Sequence, residues 1–216
     1  MKPSDALRTH RAAIRHVVES HRALNARVFG SVIHGDDVDG SDLDLLVDPT
    51  PDTSLLDIAR IQNSLQKLLG ISVDVLTPKA PAREFPQPSS GRSGAGMKKD
   101  ELRVPDYLSH IIQAVERINS YIDDIDEVGF LQNLMVQDAV IRNIEIIGEA
   151  AHNIEKHHPA FASEHPEVPW EIIYLMRNRV SHGYFSVDLE LVWKTVQRDI
   201  PELAQQIRHL QTTTKG

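Results

Sequence analysis

The 216-residue chain contains no cysteine. A disulfide scaffold, a Cys-ligated zinc site and a thiol nucleophile are therefore excluded. No stretch approaches the roughly 18 consecutive apolar residues of a membrane span. A signal-peptide core is missing too, because Lys2, Asp5, Arg8, Arg11 and Arg15 interrupt the segment from Met1 to Glu19. These absences lead us to expect a cytoplasmic protein without a membrane partner. An excess of positive charge is also lacking. With 23 Lys and Arg against 31 Asp and Glu the net charge is −8, so any contact with RNA has to come from a local patch. What is present, 41% hydrophobic and 25% charged residues, fits a soluble globular chain and not a disordered one.

The composition changes abruptly once. From Pro81 to Gly96 three prolines, three glycines and three serines fall within sixteen residues, with no apolar periodicity. This reads as a flexible linker with an r.m.s. span of roughly 20–24 Å. We therefore expect two domains, residues 1–80 and 97–216, separated by a linker at 81–96. The first carries 9 basic and 11 acidic side chains and the second 12 and 19, so neither has a basic footprint of its own.

The first segment reads as α/β. Ser4 is placed to cap a helix with the apolar stripe Leu7, Ile14, Val17 and Val18. Arg27–Ile33 is a short β-branched run with Gly30-Ser31 at or just past its strand end. Asp42–Val47 alternates acid and aliphatic, which predicts a strand. Leu55, Ile58, Ile61, Leu65 and Leu68 mark a helix that Gly70 is placed to end. Ile71–Leu76 reads as a third strand.

The strand period puts Asp42 and Asp44 on one face, about 7 Å apart at Cα. Leu43, Leu45 and Val47 then point to the core. Two carboxylates this close raise each other's pKa unless a cation intervenes. Mg²⁺, which takes oxygen ligands, suits them. If the third strand is a neighbour, Asp74 completes a two-metal site. Gly30-Ser31 offers a backbone that a phosphate can approach and a hydroxyl to donate to it. The whole pattern, Gly-Ser, ten residues, Asp-x-Asp, has a chance of roughly 0.005 in a chain of this composition. Asp36, Asp37 and Asp39 lie in a turn with no strand to aim them, and we read them as solvated.

Val28-Phe29-Gly30-Ser31 and Asp42-Leu43-Asp44-Leu45-Leu46-Val47 resemble the minimal nucleotidyltransferase (MNT) family of the polymerase-beta superfamily. The resemblance implies that Gly30 and Ser31 hold the triphosphate of ATP. It also implies that Asp42, Asp44 and Asp74 bind Mg²⁺ and carry catalysis.

The second segment reads as all helix. Val104–Ile125 and Phe130–Ile154 carry helical periodicity, the latter apolar enough for the centre of a bundle. Pro169-Trp170-Glu171 opens a third helix, which Gly183 should stop. Val187–Leu210 is the last, with a kink or break expected near Ile200 because Pro201 falls inside it.

Arg177 and His182 form an Arg-x4-His pair. With 15 Arg and 11 His, about 0.8 such pairs are expected by chance. Arg11 and His16 also match, but inside a helix they are about 140° apart on the wheel, and we read them as surface. His182 differs because Gly183 puts it at a helix C-terminus, where the chain can turn back towards Arg177. An imidazole there can serve as general acid or base on a ribose hydroxyl, and a guanidinium can hold the scissile phosphate.

The longer string Met176–Phe185 resembles the HepT-type toxins of the HEPN superfamily, with their Arg-x4-His-x-Tyr motif; Ile147-Gly148-Glu149-Ala150 and Val192-Trp193 fit the same group. The resemblance implies a helical bundle that forms a homodimer and cleaves RNA without a metal through Arg177 and His182, with Asn178 in support. HepT toxins occur paired with MNT (MntA-like) antitoxins. The pairing implies a fused toxin–antitoxin chain whose first domain transfers AMP to the hydroxyl of Tyr184 and so blocks RNA binding. Two alternatives stay open. One is a nucleotidyltransferase for a small molecule, with the bundle supplying substrate contacts. The other is a non-catalytic interaction module.

Overall fold

A computed structural model describes residues 2–79, 103–182 and 187–213, with His182 by its backbone alone. The expected linker at 81–96 and Tyr184 lie outside the described residues. The N-terminal half is a small three-stranded α/β unit and the C-terminal half is helical, the two-domain fold class that the sequence predicts.

The first helix, α1 (Pro3–Ser20), places proline at its first turn. Ser4 does not cap it through its side chain. Its backbone N–H instead donates to Asp37 Oδ2 at 2.9 Å. Asp37 is thus no solvated turn residue: it is buried, and the bond from Ser4 holds its carboxyl below the usual range. Strand β1 covers Ala23–Val28, and Ser31–His34 forms the short helix α2. The predicted run from Arg27 to Ile33 is therefore split. Gly30, at φ +70°, turns the chain out of the sheet.

Strand β2 is Leu43–Pro49, helix α3 is Leu55–Leu69 and strand β3 is Val73–Leu76. Asp42 lies one residue ahead of β2 and not on it. The sheet order is β1-β2-β3, with β1 antiparallel and β3 parallel to β2. Leu43, Leu45 and Val47 are buried as the alternation predicts. Ser54 and Asp57 close a capping box at the start of α3, and Gly70 ends it in the left-handed conformation. Leu68, assigned to the apolar stripe, is exposed.

The helical half runs α4 (Val104–Ile122), α5 (Glu127–Gln132), α6 (Leu134–His157), α7 (Pro159–Glu164), α8 (Trp170–His182), α9 (Leu189–Lys194), a π-helical segment (Thr195–Asp199) and α10 (Ile200–Thr213). Helix α6 packs between α4 and α8, through a core that includes Ile111, Ile118, Ile144, Ile147 and Ile154. The expected single helix from Phe130 to Ile154 breaks at Asn133, whose side chain caps α6 by accepting from Val136 N. At Pro201 the expected kink takes the form of the π segment. Proline lacks the N–H for the carbonyl four residues back, and the wider turn is closed by Ile200 N donating to Thr195 O. No helix among the described residues is long and apolar enough to cross a membrane.

The two halves dock along α3, which is buried on nearly all sides in its first turns. Its N-terminus meets the π segment, where Leu55 N donates to Thr195 Oγ1 at 2.9 Å. Asp57, its side chain 1% exposed, takes Arg22 from its own domain and Arg198 from the helical half, each at 2.8 Å. Burial pushes this carboxyl up, but the hydrogen bond and charge of Arg198 outweigh it and hold the group below its ordinary range. Farther along, Asn63 and Lys67 both donate to Glu171 of α8.

Candidate functional site

Two clusters contain the described residues that the sequence singles out. The first is at the C-terminal side of Gly30. Parallel pairing puts Asp44 of β2 and Asp74 of β3 directly in register. Burial first, then the charges of Asp74 and Asp42, push the Asp44 carboxyl above its usual range. The Asp44 carboxylate also lies against Gly30: a Cβ there would stand 2.4 Å from Asp44 Oδ2. Glycine is thus required at position 30 by both its positive φ and this approach. Phe29 N donates to Asp44 O, which ties the turn to β2. Ser31 follows as the first residue of α2.

Gly30, Ser31, Asp42, Asp44 and Asp74 are therefore brought to one end of the sheet. Among the described residues no three acidic or histidine side chains are gathered tightly enough to enclose a metal ion. The donor chemistry nonetheless suits a hard divalent cation. The carboxylates repel one another, and none of the three is ion-paired with a lysine or arginine among the described residues.

The second cluster is built on α6 and α8. Glu145, Gly148, Glu149 and His152 follow one another at i, i+3, i+4 and i+7 on α6. Tyr174, Arg177, Asn178 and Ser181 repeat that spacing on α8. The two stripes face each other. Ser181 Oγ donates to Glu145 Oε1 at 2.6 Å, and the His152 and Tyr174 rings stack at 4.0 Å. Burial pushes the His152 imidazole down, towards its neutral form.

Arg177 lies across Gly148, where a Cβ would stand 2.1 Å from Arg177 Cβ. Its guanidinium donates to Asn178 Oδ1 at 3.0 Å and lies 3.8 Å from Glu149 Oε2. Its Nε is buried without a hydrogen-bond partner among the described residues. A donor left open in this way has capacity for an anion. His182 is the last described residue of α8, and Gly183, where the sequence predicts the helix to stop, lies outside the described residues. Sequence reading missed Glu145, His152 and Tyr174; the matched i, i+3, i+4, i+7 polar stripes are the signal that could have found them.

Gly148→Ala is expected to lower stability by up to about 2 kcal/mol. Overpacking costs about 1–3 kcal/mol, against roughly 1 kcal/mol gained from helix propensity. Thermal unfolding measures it.

A further contact links the clusters. Arg179, in the middle of the Arg-x4-His stretch, donates to Gln62 Oε1 at 3.0 Å and to the carbonyl of Val75. Val75 is the neighbour of Asp74 on β3.

Comparison with known proteins agrees with both halves. Residues 11–95 match the family model described as a nucleotidyltransferase domain, and residues 111–210 match that described as ribonuclease HepT-like. A Thermococcus cleftensis protein named a probable ribonuclease HepT is 45% identical over 98 residues, 45% of this chain and 86% of that protein. A Caldanaerobacter subterraneus protein named as a candidate RNase is 36% identical over 104 residues, 48% of this chain and 90% of its own length. In the N-terminal half, a Methanocaldococcus jannaschii protein named as a candidate protein adenylyltransferase is 38% identical over 61 residues, 28% of this chain and 66% of that protein. No solved structure matches.

Proposed function

Because the chain belongs to the HepT-like ribonuclease family and carries a nucleotidyltransferase domain ahead of that half, we propose that it is a toxin fused to its own antitoxin: an RNA-cleaving enzyme silenced by adenylyl transfer to Tyr184. One observation carries this reading. The helix that holds Arg177 is bonded through Arg179 to Val75, the residue beside Asp74. From Arg179 to Tyr184 is five residues, at most about 18 Å of extended chain. The helix that precedes the tyrosine in sequence is thus held against the strand that carries Asp74.

In the ribonuclease half, Arg177 offers its guanidinium to the scissile phosphate and stabilises its developing charge. His182 takes the proton of the ribose 2′-hydroxyl, whose oxygen bonds to phosphorus while the bond to the 5′-oxygen breaks and that oxygen leaves as a hydroxyl, protonated by solvent. In the transferase half, Gly30 and Ser31 receive the phosphates of ATP, and Asp42, Asp44 and Asp74 are the residues that would hold Mg²⁺. That cation, when bound, supplies charge neutralisation of the phosphates. The Tyr184 oxygen bonds to the α-phosphorus, the α–β anhydride breaks, pyrophosphate leaves and the phenolic proton passes to a nearby carboxylate. Bulk and negative charge beside His182 then oppose RNA binding.

Intact-mass spectrometry of the full chain after incubation with ATP and Mg²⁺ tests this. The mass is expected to rise by one or more adenylyl groups that peptide mapping places on Tyr184, and Tyr184→Phe should stay unmodified and cleave RNA more actively. An unmodified Tyr184 on a folded chain would overturn the proposal, and adenylylation of an added small molecule instead would favour the other nucleotidyltransferase reading.

A further inference from the structure

A groove of about 550 Å³ runs between α1 and the β1 edge of the sheet. Arg8, Arg11 and Arg15 line it from α1 and Arg27 lines it from β1. The three on α1 are at i, i+3 and i+7, so they share one helix face. All four are exposed, above a floor that includes the buried Ile14 and Leu45. Arg8 lies 2.8 Å from Asp5, and Arg27 pairs with Asp48. Arg11 and Arg15 have no acidic partner among the described residues, and no carboxylate lines the groove.

This row of arginines stands in a chain of net charge −8. The helical half, with 12 basic and 19 acidic residues from 97 to 216, repels a polyanion and needs positive charge from elsewhere to hold one. Strand β1 is two strands from β3, roughly 10 Å across the sheet, and β3 abuts α8 through Arg179. The groove is therefore within a few nucleotides of the Arg177 helix.

We infer that the α1–β1 groove binds the phosphodiester backbone of single-stranded RNA and supplies substrate affinity to the Arg177 site. The inference rests on the ribonuclease reading of the helical half. Guanidinium groups suit the task because their planar donors meet phosphate oxygens in pairs. Arg11 belongs here by binding, not by the acid–base chemistry that its chance spacing from His16 imitates.

The test is fluorescence anisotropy of a labelled oligouridine on the full chain carrying His182→Ala, which keeps the RNA intact. Adding Arg11→Gln and Arg15→Gln is expected to weaken binding about tenfold or more. The slope of log affinity against log salt should fall by about 1.4, or 0.7 per charge removed for a single strand. Unchanged affinity and slope in a folded double variant would overturn the inference. So would displacement of the RNA by an equal concentration of polyglutamate, which would assign the groove to an acidic polypeptide. Arginine-dependent binding on a chain that never cleaves RNA, even with His182 intact, would count against the ribonuclease reading and support the groove. Unimpaired cleavage with an unchanged KM in the double variant would count against the groove alone.

Discussion

Asp44→Asn is expected to abolish adenylyl transfer while leaving the fold at least as stable as the parent. The two effects have one cause. Burial and the charges of Asp74 and Asp42 push the Asp44 carboxyl above its usual range, so its ionised form is disfavoured by folding. Stability from this group is therefore lost, not gained, as pH rises through the ordinary carboxylate range towards the raised value. Asparagine keeps the shape against Gly30 and removes the repulsion, so the thermal midpoint at neutral pH should hold or rise. It also removes charge that a divalent cation needs from its ligands. Asp42→Asn should lose transfer as well, with a smaller stability change because Asp42 is exposed. Incorporation of labelled AMP and thermal unfolding, measured side by side, check this. Transfer at the parent rate in either variant would remove these carboxylates from the reaction.

The second large effect is expected in the ribonuclease half. In a Tyr184→Phe chain, which cannot be silenced by modification, Arg177→Ala and His182→Ala should each reduce RNA cleavage at least about 100-fold. Loss of one donor to a developing charge typically costs about 10²–10³ in rate, and loss of a general acid–base about 10²–10⁴. The two sites act as one unit, so the double variant should be little worse than either single one. Growth inhibition on expression should disappear with cleavage. Arg177→Ala also leaves Gly148 facing a smaller neighbour, so its thermal midpoint must be measured. Arg177→Lys is the companion variant: it keeps the stem and the charge but loses the planar fork, and should remain impaired. Cleavage that survives His182→Ala would rule out acid–base catalysis by that imidazole.

Much of this was legible in the chain itself. Local patterns determined it: alternation wrote β2 and buried Leu43, Leu45 and Val47, and Gly70 ended α3. The family resemblances rested on the same short strings, and the comparisons support both. Boundaries were less legible where a polar side chain caps from a distance or breaks a periodic run, as Asp37 does for Ser4 and Asn133 for α6. Pro201 announced a disturbance, but not that a π turn would absorb it. Only the tertiary structure decided which distant residues meet. It paired Asp44 with Asp74, set Arg177 on Gly148, closed Asp57 with arginines from both halves and joined Arg179 to β3. The physical reason is range. Secondary structure follows from side-chain periods of two and 3.6 residues, which any window of sequence displays. A contact such as Arg198 with Asp57, separated by 141 positions, depends on how whole faces pack, and no local window contains it.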